Sequence, residues 1–278
     1  MDVQQQVLDL ASQSVSAAHS FIGEMRPPLS PPGRPQCALF LTIAEQYEAT
    51  VHLIVVGMPT HAAMHVRGMQ EAFADLRLLG RDDDHVRRMR YNQLDGAKRM
   101  YERMLESEFL PDIHKIDPAE ALRDMQREHA PLHEEFKKKR MTQIEAFVRA
   151  ELTDLISPYT LFCSFAHNDL GALALRHQGE TGMTHRSPPR LDDTFAFTYV
   201  AMSVLFRAAL DLEKIVYLPE GRFDHHMSGL RRLLDQVTAL SPYNDVEHSN
   251  QESRPKAATS VCVGMGQGVG NLARATSK

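Results

Sequence analysis

Apolar side chains in this chain recur at the three- and four-residue spacing of an α-helix over one long segment after another. Proline and glycine fall mainly between these segments, most clearly in the proline-rich stretch 27–35, which lacks the backbone donors that a helix needs. Nowhere do two short alternating runs flank a tight turn, as a β-hairpin would require. The pattern therefore predicts an all-α fold, built as a multi-helix bundle.

The predicted helices have apolar faces of very different strength, and three of them, at 60–80, 157–177 and 191–217, are the natural centre of the bundle. The other predicted helices span residues 3–24, 37–57, 82–107, 118–129, 132–152 and 222–240.

The predicted organisation is one bundle domain with additions at both ends. Residues 1–36 form an N-terminal helix and a proline-rich loop, and residues 37–240 form the helical-bundle domain. In residues 241–278 polar residues and glycine take over, a composition typical of a disordered tail.

Composition excludes several classes of protein. The net charge of −5 provides no overall positive field, so nucleic acid is not favoured as a partner, although a local basic groove stays open. The three cysteines, Cys37, Cys163 and Cys262, lie far apart, which excludes a disulfide framework and a zinc ribbon. We find no signal-peptide pattern and no apolar run of about 20 residues, so we expect a cytoplasmic protein with no membrane segment.

The predicted helix 60–80 carries a row of charged residues beside apolar neighbours. Arg67, Glu71 and Asp75 follow one another at four-residue spacing, so they share one side of the helix. Charges on a half-covered side must be paired, and Arg67 and Glu71 can pair within the helix. The row is therefore either a polar functional site or a structural ion pair. A narrow stripe with Gln70, Arg77, Ala63 and Ala74 is expected to face solvent.

The predicted helix 157–177 places His167 in a stripe of small residues that includes Ser164 and Gly171. Small residues let a neighbouring helix approach closely, so this imidazole is expected at an interface between helices. Because histidine titrates near neutral pH, it could act as an acid or a base. The alternative is a structural histidine that hydrogen-bonds the neighbouring helix.

The predicted helix 191–217 is apolar except for Arg207 and Asp211, which are four residues apart. An arginine in such surroundings can bind a carboxylate or a phosphate through two parallel hydrogen bonds. The simpler interpretation is an internal pair between Arg207 and Asp211.

Two of these segments resemble a known family. The stretch 67–76 has the form R-x-x-x-E, and the stretch 159–167 has the form Y-x-x-x-x-S-x-x-H. In this order they resemble the mostly bacterial domain-of-unknown-function family numbered 5677, over about residues 37–217. The resemblance implies an all-helical intracellular domain and provides candidate residues rather than a reaction. The matching positions are Arg67, Glu71, Tyr159, Ser164 and His167.

A looser analogy connects the chain with the HEPN helical ribonucleases, which cleave RNA with an Arg-x4–6-His motif. The pairs Arg123–His129 and Arg127–His133 have that spacing, but their segment is polar on all sides and is predicted to break at Pro131. If the chain is a ribonuclease, a better pair is Arg67 and His167 meeting in space. Arginine would then stabilise the charge on phosphorus while histidine moves the proton.

Other chemistry has weaker support, and the sequence predicts neither a metal site nor a cofactor. His61 and His65 share a helix face, but two histidines alone are an incomplete ligand set. The glycines at 264–270 do not fit a nucleotide-binding loop, and no strand precedes them.

The sequence thus leaves three hypotheses open: a helical protein with a structural Arg/Glu/His cluster, a phosphodiester hydrolase acting on RNA, and an interaction module that forms a homodimer. It does not decide whether the chain is an enzyme, and the partner stays unknown. The candidate catalytic residues are Arg67, Glu71 and His167, and the candidate binding residues are Asp75, Tyr159, Ser164, Arg207 and Asp211.

Overall fold

The computed structural model describes residues 2–106, 117–137, 141–167, 169–179 and 182–243. Within them the chain forms α-helices, one short 3₁₀ helix (Thr153–Leu155) and no β-strand, so the all-α prediction is confirmed. The helices are α1 (Val3–Glu24), α2 (Gly33–Val55), α3 (Pro59–Leu79), α4 (His85–Glu106), α5 (Pro118–Phe136), α6 (Gln143–Arg149), α7 (Ile156–Ala166), α8 (Leu170–His177), α9 (Leu191–Leu210) and α10 (Arg222–Ala239). Most of the predicted tail, residues 244–278, lies outside the described residues.

Helix α3 lies at the centre of the bundle and packs against α2, α7 and α9. Covered on so many sides, it leaves only part of its surface, including Met64, Arg67 and Glu71, accessible to solvent. The expected solvent stripe is therefore wrong: Gln70, Ala63 and Ala74 are fully buried. Helix α2 approaches α3 so closely that a Cβ atom on Gly68 would collide with the Gln46 side chain.

Helix α1 belongs to the same apolar core as the rest of the bundle. It packs on α2, α9 and α10, and its Phe21 ring is fully buried against Phe40 of α2 and Phe223 of α10. Glu24, at the end of α1, forms an ion pair with Arg222 at the start of α10. These contacts connect the two ends of the described chain.

Helix α9 ends at Leu210, although the apolar pattern predicted a helix to residue 217. After a series of turns, the backbone of Tyr217 exchanges two hydrogen bonds of 3.0 Å with Arg26. The segment that follows α9 is thus held against the chain beyond α1, and its apolar residues pack on the core without being helical.

The predicted helix 157–177 is two helices in the structure. Helix α7 ends at Ala166, and Asp169 caps the N-terminus of α8 by accepting a hydrogen bond of 2.9 Å from the Ala172 amide. An N-cap residue has extended backbone geometry, so it cannot lie inside a continuous helix. His167 therefore lies at the end of a helix and not in its middle.

Two prolines are tolerated where a helix break was expected. Pro35 lies in the first turn of α2, where backbone amides have no partner within the helix, so its missing N–H costs little. Pro131 lies inside α5, which continues to Phe136. Packing on α4 holds α5 together, since the buried side chains of His129 and Phe136 lie against Tyr91 of that helix.

One helix among the described residues, α9, is long and apolar enough to cross a membrane by length and composition. In the folded molecule, 61% of the most apolar stretch of this helix is buried, and the central helix of a helical bundle is also mostly buried.

Candidate functional site

Arg67, Glu71 and Tyr159 meet between α3 and α7, and we call them the α3–α7 polar cluster. The Nε atom of Arg67 donates to Oε1 of Glu71 over 3.1 Å, one helical turn along α3. The hydroxyl of Tyr159, from α7, donates to the same oxygen over 2.8 Å. The guanidinium of Arg67 also lies 5.6 Å from the centroid of the Tyr159 ring. Groups from two helices thus converge on one carboxylate oxygen.

The electrostatics of this cluster favour fixed protonation states. Burial raises the pKa of Tyr159 to about 12; the hydrogen bond to Glu71 adds to the rise and Arg67 opposes it. Burial acts to lower the pKa of Arg67, but the interactions with Tyr159 and Glu71 outweigh burial and raise that pKa. At neutral pH Tyr159 is therefore a hydrogen-bond donor and Arg67 a permanent cation.

The side chains of this cluster are only partly removed from water. The side chains of Arg67 and Glu71 are 29% and 36% exposed, while the Tyr159 residue is buried beside the ring of Phe147. An ion pair at this depth is screened, so its net contribution to stability is modest.

His167 and Ser164 are not part of this arrangement. His167 is exposed, and the hydrogen bonds that join Arg67, Glu71 and Tyr159 do not involve it. The Ser164 hydroxyl donates to the Leu161 carbonyl oxygen of its own helix over 2.7 Å. The catalytic role of His167 and the binding role of Ser164 stay predictions.

Asp75 was predicted to share a site with Arg67 and Glu71, but it faces a different partner. Its carboxylate lies 3.0 Å from Nε2 of His85, a buried residue at the start of α4. Asp75 is eight residues, or about 12 Å along the helix, from Arg67, and its neighbour one turn away is the like-charged Glu71, so Asp75 pairs outside the cluster. His85 could not be identified as the partner of Asp75 from the sequence, because the α3–α4 turn brings the two residues together.

Arg207 and Asp211 do not pair with each other as the simpler interpretation held. Arg207 binds both carboxylate oxygens of Asp154, at 2.5 and 3.2 Å, and Asp211 binds Arg77 of α3, at 2.6 and 3.3 Å. Since α9 ends at Leu210, Asp211 lies outside the helix and turns toward α3.

The two arginines of these pairs share one aromatic ring. The guanidiniums of Arg77 and Arg207 lie 4.9 and 5.5 Å from the centroid of the buried Phe73 ring. This geometry ties α3, α9 and the 3₁₀ helix together, and it occupies the carboxylate-binding fork of each arginine. The sequence does not single out Arg77 and Asp154 among its many charged residues, so their ion-pair partners could not be predicted from it.

The ribonuclease-like motifs on α5 are divided between its faces. His129 is buried and stacks on Tyr91 at 5.4 Å between centroids, whereas Arg123 is exposed. Arg127 pairs with Asp124 on the exposed side of the helix. The spacing is thus that of the motif, but Arg123 and His129 face different surroundings.

No cluster of three or more His, Cys, Asp or Glu residues able to hold a metal ion occurs in the part of the chain that the structure describes. On α2, Glu48 lies 3.2 and 3.8 Å from the imidazole nitrogens of His19 and His52, a set of one carboxylate and two histidines that includes no further acidic or cysteine ligand among the described residues.

Comparison with known proteins relates the chain to a protein family. No curated protein and no solved structure matches the chain. The profile of the family of unknown function DUF5677 matches residues 35–184, which extend from α2 to α8. The match includes Arg67, Glu71, Tyr159, Ser164 and His167, and it ends before Arg207 and Asp211. Since the match covers more than half of the sequence, this chain belongs to the DUF5677 family.

Proposed function

We propose that this protein acts by binding a ligand and not by catalysis, and that the α3–α7 polar cluster is structural. A pocket at the N-terminal end of α3 supports binding, and the observation against catalysis is the hydrogen bonding of Glu71, whose Oε1 accepts from both Arg67 and Tyr159. A carboxylate held in this way connects α3 to α7. It is poorly placed to accept a further proton from a substrate.

The other candidate residues support the same conclusion. Asp75 lies against His85, Arg207 against Asp154, and Asp211 against Arg77. General acid–base catalysis works best with a group that titrates near the working pH, within hydrogen-bonding reach of the reacting atoms. Tyr159, with a pKa of about 12, does not meet that requirement, and the exposed His167 lies outside the cluster. The homodimer expected from the sequence stays a prediction within this proposal.

The test is an assay for RNA cleavage with the purified protein and a panel of single-stranded RNAs. We expect the wild-type protein to leave every RNA intact, as a buffer control does. His167→Ala and Arg67→Ala should behave identically to the wild type. His225→Ala, which removes an exposed histidine of α10, is the matched control.

Cleavage by the wild type that disappears in His167→Ala, with unchanged helical circular dichroism and with His225→Ala still active, would overturn the proposal. The ribonuclease hypothesis would then replace it, with His167 moving the proton.

A further inference from the structure

A cavity of about 110 Å³ lies at the N-terminal end of α3, and we call it the α3-end pocket. The end of α8 and the segment 185–189 form its other walls. Gly57 makes the turn from α2 into α3 with a φ of 77°, a conformation that favours glycine, and Pro189 packs against it. Since one water molecule takes up roughly 30 Å³ of liquid, the pocket has room for a small chemical group.

Two arginines from separate segments line the pocket. Arg176 of α8 is only 9% exposed, and its Nη2 donates to the carbonyl oxygens of Thr60 and Phe165, each at 3.1 Å. Arg186 is exposed, and its Nη1 donates to the Val56 carbonyl oxygen over 3.1 Å. The Nε atom of Arg176 also donates to the Thr60 hydroxyl oxygen over 3.4 Å, and these contacts fix both guanidiniums at the pocket.

The histidines of the pocket add further donors. Nδ1 of His177 lies 3.3 and 3.2 Å from the carbonyl oxygens of Thr184 and His185, so this nitrogen carries a proton and Nε2 remains for another partner. Nδ1 of His61 is buried and, within the described part of the chain, has no hydrogen-bond partner. Buried polar atoms are ordinarily hydrogen-bonded, so this nitrogen could bind a group that enters the pocket.

The surroundings of His61 are electropositive. Burial lowers the pKa of this imidazole, and the charges of Arg176, His177 and Arg186 lower it further. The first turn of α3 adds to the positive potential, because the helix dipole points its positive end there and no side chain caps the helix.

One acidic residue also lines the pocket. Asp193, in the first turn of α9, has a raised pKa because it is buried, and Asp192 raises it further while Arg190 opposes the rise. The Asp193 carboxylate disfavours an anion on its own side, so an anionic group would lie toward Arg176, Arg186 and His61.

We propose that the α3-end pocket binds the phosphate group of a small phosphate monoester through Arg176, Arg186 and His61. A phosphate offers acceptor oxygens in several directions, which suits arginine forks and an imidazole that approach from different walls. The partly enclosed pocket favours a terminal phosphate over the backbone of a nucleic acid. The inference rests on the proposed binding function and names the chemical class of its ligand.

The experiment is titration calorimetry of the full chain with inorganic phosphate and with phenyl phosphate, at constant ionic strength. We expect saturable binding of both, and Arg186→Gln should weaken the affinity for phenyl phosphate about tenfold, the effect of losing one charge-assisted contact. Asp193→Asn should strengthen it, because a like charge is removed. Arg231→Gln, which removes an exposed charge paired with Asp235 on α10, is the matched control and should change nothing.

A second readout covers the case in which a variant does not fold. In the wild-type protein, phosphate should shift the imidazole resonances of His61 and His177, while those of the exposed His225 stay in place. Unchanged resonances together with no heat of binding would overturn the inference.

Three further outcomes would also overturn it: equal affinity for benzoate and phenyl phosphate, tighter binding of a 5′-phosphorylated oligonucleotide than of phenyl phosphate, or undiminished affinity in Arg186→Gln. The proposed function fails by a different measurement, the cleavage of RNA, so the two failures are distinguishable.

Discussion

Tyr159 is the residue of the α3–α7 polar cluster whose ionisation should be visible in the stability of the protein. Its pKa is raised from the ordinary value of 10.0 to about 12, chiefly by burial. Between these values the unfolded chain loses the tyrosine proton while the folded protein keeps it. The stability that protonated Tyr159 contributes to the folded protein is therefore fully present below pH 10. It is lost as the pH rises toward 12.

We expect Tyr159→Phe to lose less stability than the wild type over this alkaline range, because phenylalanine has no proton to lose. At neutral pH the variant should be less stable by about 1 kcal/mol, since the hydrogen bond to Glu71 is gone. Urea unfolding across the alkaline range measures both effects. Burial also raises the pKa of Tyr47, but that residue is present in both proteins and cancels in the comparison. Parallel pH profiles would contradict this assignment.

At the scale of single elements, the start of α8 is explained by one capping side chain. The side chain of Asp169 accepts the hydrogen bond from the Ala172 amide that would otherwise be lost at the N-terminus. We expect Asp169→Ala to destabilise α8 by about 1 kcal/mol and to increase hydrogen exchange of its backbone amides. Asp124→Ala is the control, because Asp124 is an exposed residue in the interior of α5. Unchanged exchange in α8 would show that the cap contributes nothing.

The elements also reveal which parts of this molecule can be predicted from the sequence. The helical period predicted the all-α class and the bounds of α1, because local spacing reflects a face that must be buried. The helical period did not predict the helix ends near Asp169 and Asp211, because the apolar pattern continues past both ends. A capping side chain separates α7 from α8 at Asp169, and a turn ends α9 before Asp211. The pair of Arg67 and Glu71 was predictable because both residues lie on one helix.

The partners that lie on different helices were not predictable. These contacts depend on how the helices cross, and the sequence spacing of two partners has no period that could reveal the crossing. The pairs are Tyr159 with Glu71, Asp154 with Arg207, and Arg77 with Asp211. The α3-end pocket was missed for the same reason, since Arg176, Arg186 and His61 belong to three separate segments. The one available sign was the pairing of basic residues at 176–177 and 185–186, at the two ends of a loop.

For the whole molecule, the question is whether the parts outside the family match fold together with it. The match covers residues 35–184, so α1, α9 and α10 lie outside it, yet α9 packs on α3 at the centre of the core. Since α1 packs on α2, α9 and α10, the matched segment would expose large apolar side chains if it stood alone. The sequence predicts residues 1–36 as a helix and loop packed on the bundle, a description that does not require the N-terminal helix to unfold together with the bundle.

Phe21 of α1 distinguishes the two descriptions. Its ring is fully buried between Phe40 and Phe223, so Phe21→Ala should lower the free energy of unfolding by about 3–5 kcal/mol through the cavity it leaves. If the molecule is one cooperative unit, the slowest-exchanging amides of α3 should lose protection by the same free energy, although α3 is a different element. Leu29→Ala, which shortens a side chain that is 89% exposed in the same N-terminal segment, should leave those amides unchanged. Faster exchange confined to α1 in Phe21→Ala would mean that residues 1–36 are a separate unit, because the central helix would then be stable without them.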